Sequence, residues 1–221
     1  MTQVLVKDII APVWQKCPSA PITTVVQAYM DAARQFCNRS RWLRATIAGA
    51  TIVDQRLYAL GSDPYNEIIG ISAIDITEAA DDIHGLIGKN SEEWDTTEAN
   101  DVPKYYQYVP EGSFAVHPKA DQIYTLNVGV VLQPKAGSNS VDDTLLINWS
   151  YTLQHGALAY LLGMGGQPWT DKAEGQMHAA HFRSETASAS HNAAGGYNPG
   201  SIPADALGPR SSGVRTKMQA I

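Results

Sequence analysis

Cysteine is scarce: Cys17 and Cys37 are the only two in 221 residues, so beyond one bridge between them no disulfide framework is expected, and a reducing compartment is the simpler assumption. No run of about 18 apolar residues exists, so no segment qualifies as a membrane-spanning helix. The opening stretch MTQVLVKDIIAPVW is interrupted by Lys7 and Asp8 and has neither a charged leader nor a small-residue cleavage site, so it does not read as a secretory signal. Cationic side chains are in the minority, 16 Lys and Arg against 22 Asp and Glu, and the net charge of −6 argues against general binding to a phosphate backbone. A phosphate loop of the GxxxxGK[ST] type is missing, which excludes ATP-driven work. GISAI at Gly70–Ile74 lacks the second glycine of a hydrolase elbow. GMGGQP at Gly163–Pro168 follows a helical pattern and ends in proline, so it reads as a helix terminator rather than a dinucleotide loop.

What is present is enough apolar material, 44% of residues, to build a core. Charge is unevenly spread. From His191 to Ile221 the charged side chains are Asp205, Arg210, Arg215 and Lys217, so this tail carries +2 and the body before it −8. The tail is rich in Gly, Ser, Pro and Ala and cannot bury enough surface for a core of its own. It is expected to be an extended arm, over residues 191–221, that orders only against a partner.

Between Thr24 and Phe36, apolar residues at three- and four-residue spacing predict an amphipathic helix, with Thr24 and Gln27 as a capping box. A second, nearly charge-free helix is predicted from Asp142 to Gly163, capped by Ser140 or Asp143, with Trp149 and Leu153 in the core and a close backbone approach at Gly156. A third begins at Thr170 or Asp171 and runs through Ala173, Met177 and Ala180 towards Ala187 with a shallow face. Between the first two, from about Arg44 to Pro134, the period drops to two: short β-branched and aromatic runs are separated by Gly, Pro, Asn and Asp. In the last of these runs Tyr124, Leu126, Val128 and Val130 alternate with Thr125, Asn127 and Gly129, as in an antiparallel strand with one buried face. The expected fold is therefore α+β: a helical bundle (21–43 and 140–190) with an inserted antiparallel sheet or small sandwich (44–139), an N-terminal segment (1–20) and the C-terminal arm. Lys89–Asn100 reads as a surface loop in which Trp94 needs a partner.

Candidate chemistry is thin. Glu174, His178 and His181 lie close to one helical face, but three ligands on one helix seldom converge on a metal without a fourth from elsewhere, so they read as surface or interface residues and no metal is assigned. His84, His117, His155 and His191 are scattered, with no evident relation to a base or nucleophile. Adjacent carboxylates such as Asp81 and Asp82, Glu92 and Glu93, or Asp142 and Asp143 point to different sides and do not form an acid and base pair. No catalytic residue and no cofactor is expected.

The order of the pieces carries more information than any one motif. The helix PITTVVQAYMDAARQFCNRSRWL, the strand region VPEGSFAVHPKADQIYTLNVGVVLQP and the helix VDDTLLINWSYTLQHGALAYLLGMGGQPW resemble the head-to-tail adaptor (connector) proteins of tailed bacteriophages, especially short-tailed ones, over roughly residues 20–185. That resemblance implies a structural virion protein without catalytic residues, a ring of copies of itself, commonly twelve, seated beneath the portal protein. The next tail protein, such as a tail nozzle, would dock below, and DNA would pass through the lumen without specific recognition. It places the protein at the neck of the virion and, during assembly, in the host cytoplasm, with no membrane partner. Tyr197, Arg210, Arg215 and Lys217, the large or cationic side chains of the arm, are the expected partner contacts. Alternatives are a minor tail protein, a hydrolase whose site is assembled from distant residues, or a β-sandwich binding a carbohydrate or peptide. In the last, Trp94, Tyr105, Tyr106 and Tyr108 would form an aromatic platform, although Tyr106 and Tyr108 would share a face that Tyr105 does not.

Overall fold

In the computed structural model, residues 2–78, 82–90, 92, 94, 99–109 and 112–194 are described. The helical elements are α1 (Ala11–Lys16), α2 (Ile22–Ser40), α3 (Asp143–Gly163) and α4 (Lys172–Ala194). Among the described residues ten strands accompany them: β1 (Gln3–Leu5), β2 (Arg44–Ala50), β3 (Leu57–Ala59), β4 (Asn66–Thr77), β5 (Ile83–Gly85), β6 (Ile87–Gly88), β7 (Tyr105–Val109), β8 (Ser113–His117), β9 (Thr125–Pro134) and β10 (Ser140–Asp142). The fold is α+β, as the change of hydrophobic period predicts.

The apolar stripe of α2 is the centre of the helical layer, with Val25, Tyr29, Ala33 and Phe36 all buried. From α3, Leu145, Leu153 and Leu161 are fully buried, each contributing about 1.5–3 kcal/mol. The exposed Lys16–Glu174 ion pair at 3.3 Å joins α1 to α4, and such surface pairs contribute at most about 1 kcal/mol. Apolar packing, not ion pairing, therefore holds the helices together. Gly156 is a true close approach, since a Cβ there would stand 2.8 Å from Ala32 Cβ and 2.8 Å from the Phe182 ring. Trp149 differs from expectation. Its backbone is non-helical (φ −135°, ψ 16°) and kinks α3, so its half-buried ring sits at the edge of the core, with ring centroids 5.4 Å from Phe36 and 5.2 Å from Trp42.

The caps also differ. α2 follows Pro21 with no side-chain cap, and Gln27 instead donates to Asp31 at 2.9 Å, because the helix starts at Ile22 and leaves Thr24 already inside the first turn. α3 is capped by Asp142, whose carboxylate accepts from Thr144 N at 3.0 Å. Ser140 is held in β10, paired with β1, so the N-terminal segment closes onto this corner. Asp171 caps α4 through Ala173 N and Glu174 N, both at 3.0 Å, and α4 runs on to Ala194.

Two four-stranded sheets form the β region, in the orders β2-β9-β4-β5 and β3-β8-β7-β6. All pairings are antiparallel except β6 with β7, which is parallel. β9 alternates buried and half-exposed residues as far as Val130; from Val131 to Pro134 every residue is buried, because α2 covers that end. One junction ties helix to sheet: Arg34 donates to the Glu67 carboxylate at 2.8 Å and to Pro134 O at 2.9 Å, and Gln133 donates to the same carboxylate.

Candidate interaction surfaces

β2 pairs with β9 out to Ala50 opposite Thr125, and the two chains continue as the loops that end the sheet. Thr51 N donates to Tyr124 O at 2.9 Å, Tyr124 N donates to Thr51 Oγ1 at 2.7 Å, and the Thr51 hydroxyl donates to Gln122 O at 3.0 Å. Tyr58 Oη accepts from Ile52 N at 3.2 Å. Asp54, in the left-handed region at φ 64°, donates its N–H to Ala120 O at 2.9 Å and meets Lys119 Nζ through its carboxylate at 2.8 Å. That Lys119 hydrogen bond, with a second from Asn100, lowers the Asp54 pKa. Tyr124 donates to Asp121 at 2.6 Å, and burial, followed by the neighbouring Asp121, pushes its phenol up to about 12.

Every backbone group in this lacing works on the inside, and the apolar side chains are left outside. Ile52, Val53 and Ile123 flank the paired Thr51 and Tyr124 and are exposed, Ile123 at 72%. Large aliphatic residues held on a hydrogen-bonded turn lose little entropy when they are covered.

A second apolar surface lies on the outer side of α3. Ile147 and Tyr151, on either side of the Trp149 kink, are 77% and 70% exposed. Tyr160 of the same helix and Met177 of α4 are also exposed.

Of the third-helix histidines, His181 is exposed as expected, but His178 is not at the surface. His178 is buried, and its partner is His155 of α3, with Nδ1 atoms 2.5 Å apart. His181 stacks on His155 with centroids 5.0 Å apart, and Glu174 Oε1 lies 3.5 Å from His178 Nε2. Among the described residues no group of three or more His, Cys, Asp or Glu is arranged to hold a metal ion. No described helix is long and apolar enough to cross a membrane.

The aromatic platform does not assemble either, because its members are engaged in packing. Trp94 stacks on His117 at 5.2 Å with the Arg56 guanidinium 5.8 Å from its ring. Tyr105 stacks on His117 at 6.4 Å under Lys89. Tyr108 points the other way and donates to Ile68 O across the sheets at 3.3 Å, while Tyr106 packs against the core. Tyr197, Arg210, Arg215 and Lys217 lie outside the described residues.

Neither the tip nor His155 was picked out from the sequence. Ile52 and Val53 read as the end of a strand, and the only available signal was an apolar pair running straight into the turn residue Asp54.

A family model described as SU10 adaptor protein matches residues 5–203, most of the chain. None of the curated proteins matches it.

Proposed function

The chain belongs to the SU10 family of phage adaptor proteins, and from that premise we propose that it forms the head-to-tail adaptor ring, joining the portal protein above to a tail protein below. The family match over residues 5–203 carries this reading, and the two apolar surfaces support it. β2 starts at Arg44, which donates to Ala193 O near the end of α4 at 2.9 Å; seven residues later it reaches the tip, a rise of about 20 Å. A protein that bridges two neighbours needs separated surfaces, and these are separated along the length of a strand. Tip and helices thus divide the work: Ile52, Val53 and Ile123 face the tail protein, and Ile147 and Tyr151 face the next copy in a ring, twelve being the expected number. DNA passes the lumen without specific recognition, and the role is structural rather than enzymatic.

The arm belongs to the same proposal. Tyr197, Arg210, Arg215 and Lys217 contact the portal or an adjacent copy, and the arm's +2 charge faces a body of −8. The purified chain mixed with its portal should give one assembly of defined mass by native mass spectrometry. Deleting 195–221 should leave the circular dichroism of the body intact while lowering the assembled fraction several-fold. A full-length chain that stays monomeric beside its portal would overturn the adaptor ring.

A further inference from the structure

Two buried imidazoles in contact demand an explanation that packing alone does not supply. His155 and His178 are both more than nine-tenths buried, and their Nδ1 atoms are 2.5 Å apart. At that distance one nitrogen must carry the proton and the other the lone pair, so the contact is a hydrogen bond only while the pair keeps an unprotonated Nδ1. The outer nitrogens add to the tension: Nε2 of each ring is buried and has no hydrogen-bond partner. Protonating both rings would force two N–H groups against each other and place two cations in a site shielded from water.

The surroundings offer little to neutralise that charge. From α4, Glu174 lies 3.5 Å from His178 Nε2, but the same carboxylate oxygen is 3.3 Å from Lys16 of α1. His181, also from α4, stacks on His155 and adds a third titratable ring, while Tyr151 of α3 meets His155 edge-on at 4.4 Å. Cys17, at the end of α1, is buried and feels Glu174, and burial raises its thiol pKa. α2 presents Ala32 to Gly156, the residue after His155; of its charged groups, Asp31 is bonded to Gln27, Arg34 to Glu67, and Arg39 is a cation in its last turn. One half-shared carboxylate therefore stands against three imidazoles.

We propose that the His155–His178 contact is a proton-sensitive latch between α3 and α4, closed while the pair holds at most one proton and opened when both rings are charged. Its position gives it reach, because α4 runs on to Ala194 and so carries residues 191–194 of the expected arm, and a loosened α4 frees that root. The direction agrees with the depressed His155 pKa, caused first by burial and then by His178 and His181. An imidazole whose pKa is lower in the folded state binds fewer protons folded than unfolded. Its contribution to stability is present above the ordinary value of 6.5 and is lost as pH falls through the folded pKa.

The test compares thermal unfolding of the full chain and of His155→Asn at pH 7.5 and 5.5, in the presence of a chelator. The wild-type midpoint should fall at least about 3 °C further than that of the variant, the size expected for a chain of this length. Amide exchange in the wild type, corrected for the intrinsic pH effect, supplies a second readout that does not need the variant to fold. Protection over 175–194 should drop at least tenfold on acidification while β9 holds its protection. Equal midpoint shifts in both proteins, or equal loss of protection in α4 and β9, overturns the latch.

Discussion

The seam between α3 and α4 and the tip of the sheet solve the same problem, keeping chain segments in register, in opposite ways. At the tip the polar groups are paired by short-range lacing around Thr51 and Tyr124, and the apolar side chains stand in water. At the seam the apolar side chains are buried, while a polar pair sits among them whose outer nitrogens make no hydrogen bond. The tip is therefore expected to be indifferent to pH and sensitive to what touches it. The seam is expected to be indifferent to partners and sensitive to protons. Where a polar group is left unsatisfied decides which signal a surface answers.

The comparison breaks first if the seam is not core. Leu153, fully buried in α3 two residues before His155, should cost about 2–5 kcal/mol on truncation to alanine, measured by denaturant unfolding. A loss below about 1 kcal/mol would put that face outside the core. Next in size is Thr51→Val, which removes the acceptor of the buried Tyr124 N–H and the donor to Gln122; about 1–3 kcal/mol should be lost, with no change in the pH dependence of unfolding. The smallest effect on stability sharpens the contrast most. Ile123→Asp should change the folding free energy by no more than about 0.5 kcal/mol, while abolishing capture of the tail protein in a pull-down. Retained capture would remove the tip from the proposed interface.

Legibility in the sequence followed the range of the interaction. α2, α3 and α4 were readable because their stripes repeat within a few residues, and β9 because its alternation is local. The misread caps show the limit of that approach. Thr24 and Gln27 have the spacing of a capping box, yet the helix starts two residues earlier, and Ser140 was already committed to pairing with Leu5. β9 alternates only as far as α2 allows, because a helix laid over one end covers the face that is open along the rest of the strand.

What the chain determined by itself was its elements, their order and the contrast between an acidic body and a weakly basic tail, all of which depend on neighbours a few residues apart or on composition. The family resemblance was legible for the same reason, since it rests on that order. Only the tertiary structure decided which polar groups meet. His155 and His178 are 23 residues apart and Thr51 and Tyr124 are 73, and no periodicity links either pair. A turn that leaves Ile52 and Ile123 in water, and a seam that takes two imidazoles out of it, arise because the packing of distant elements sets how much solvent each side chain keeps.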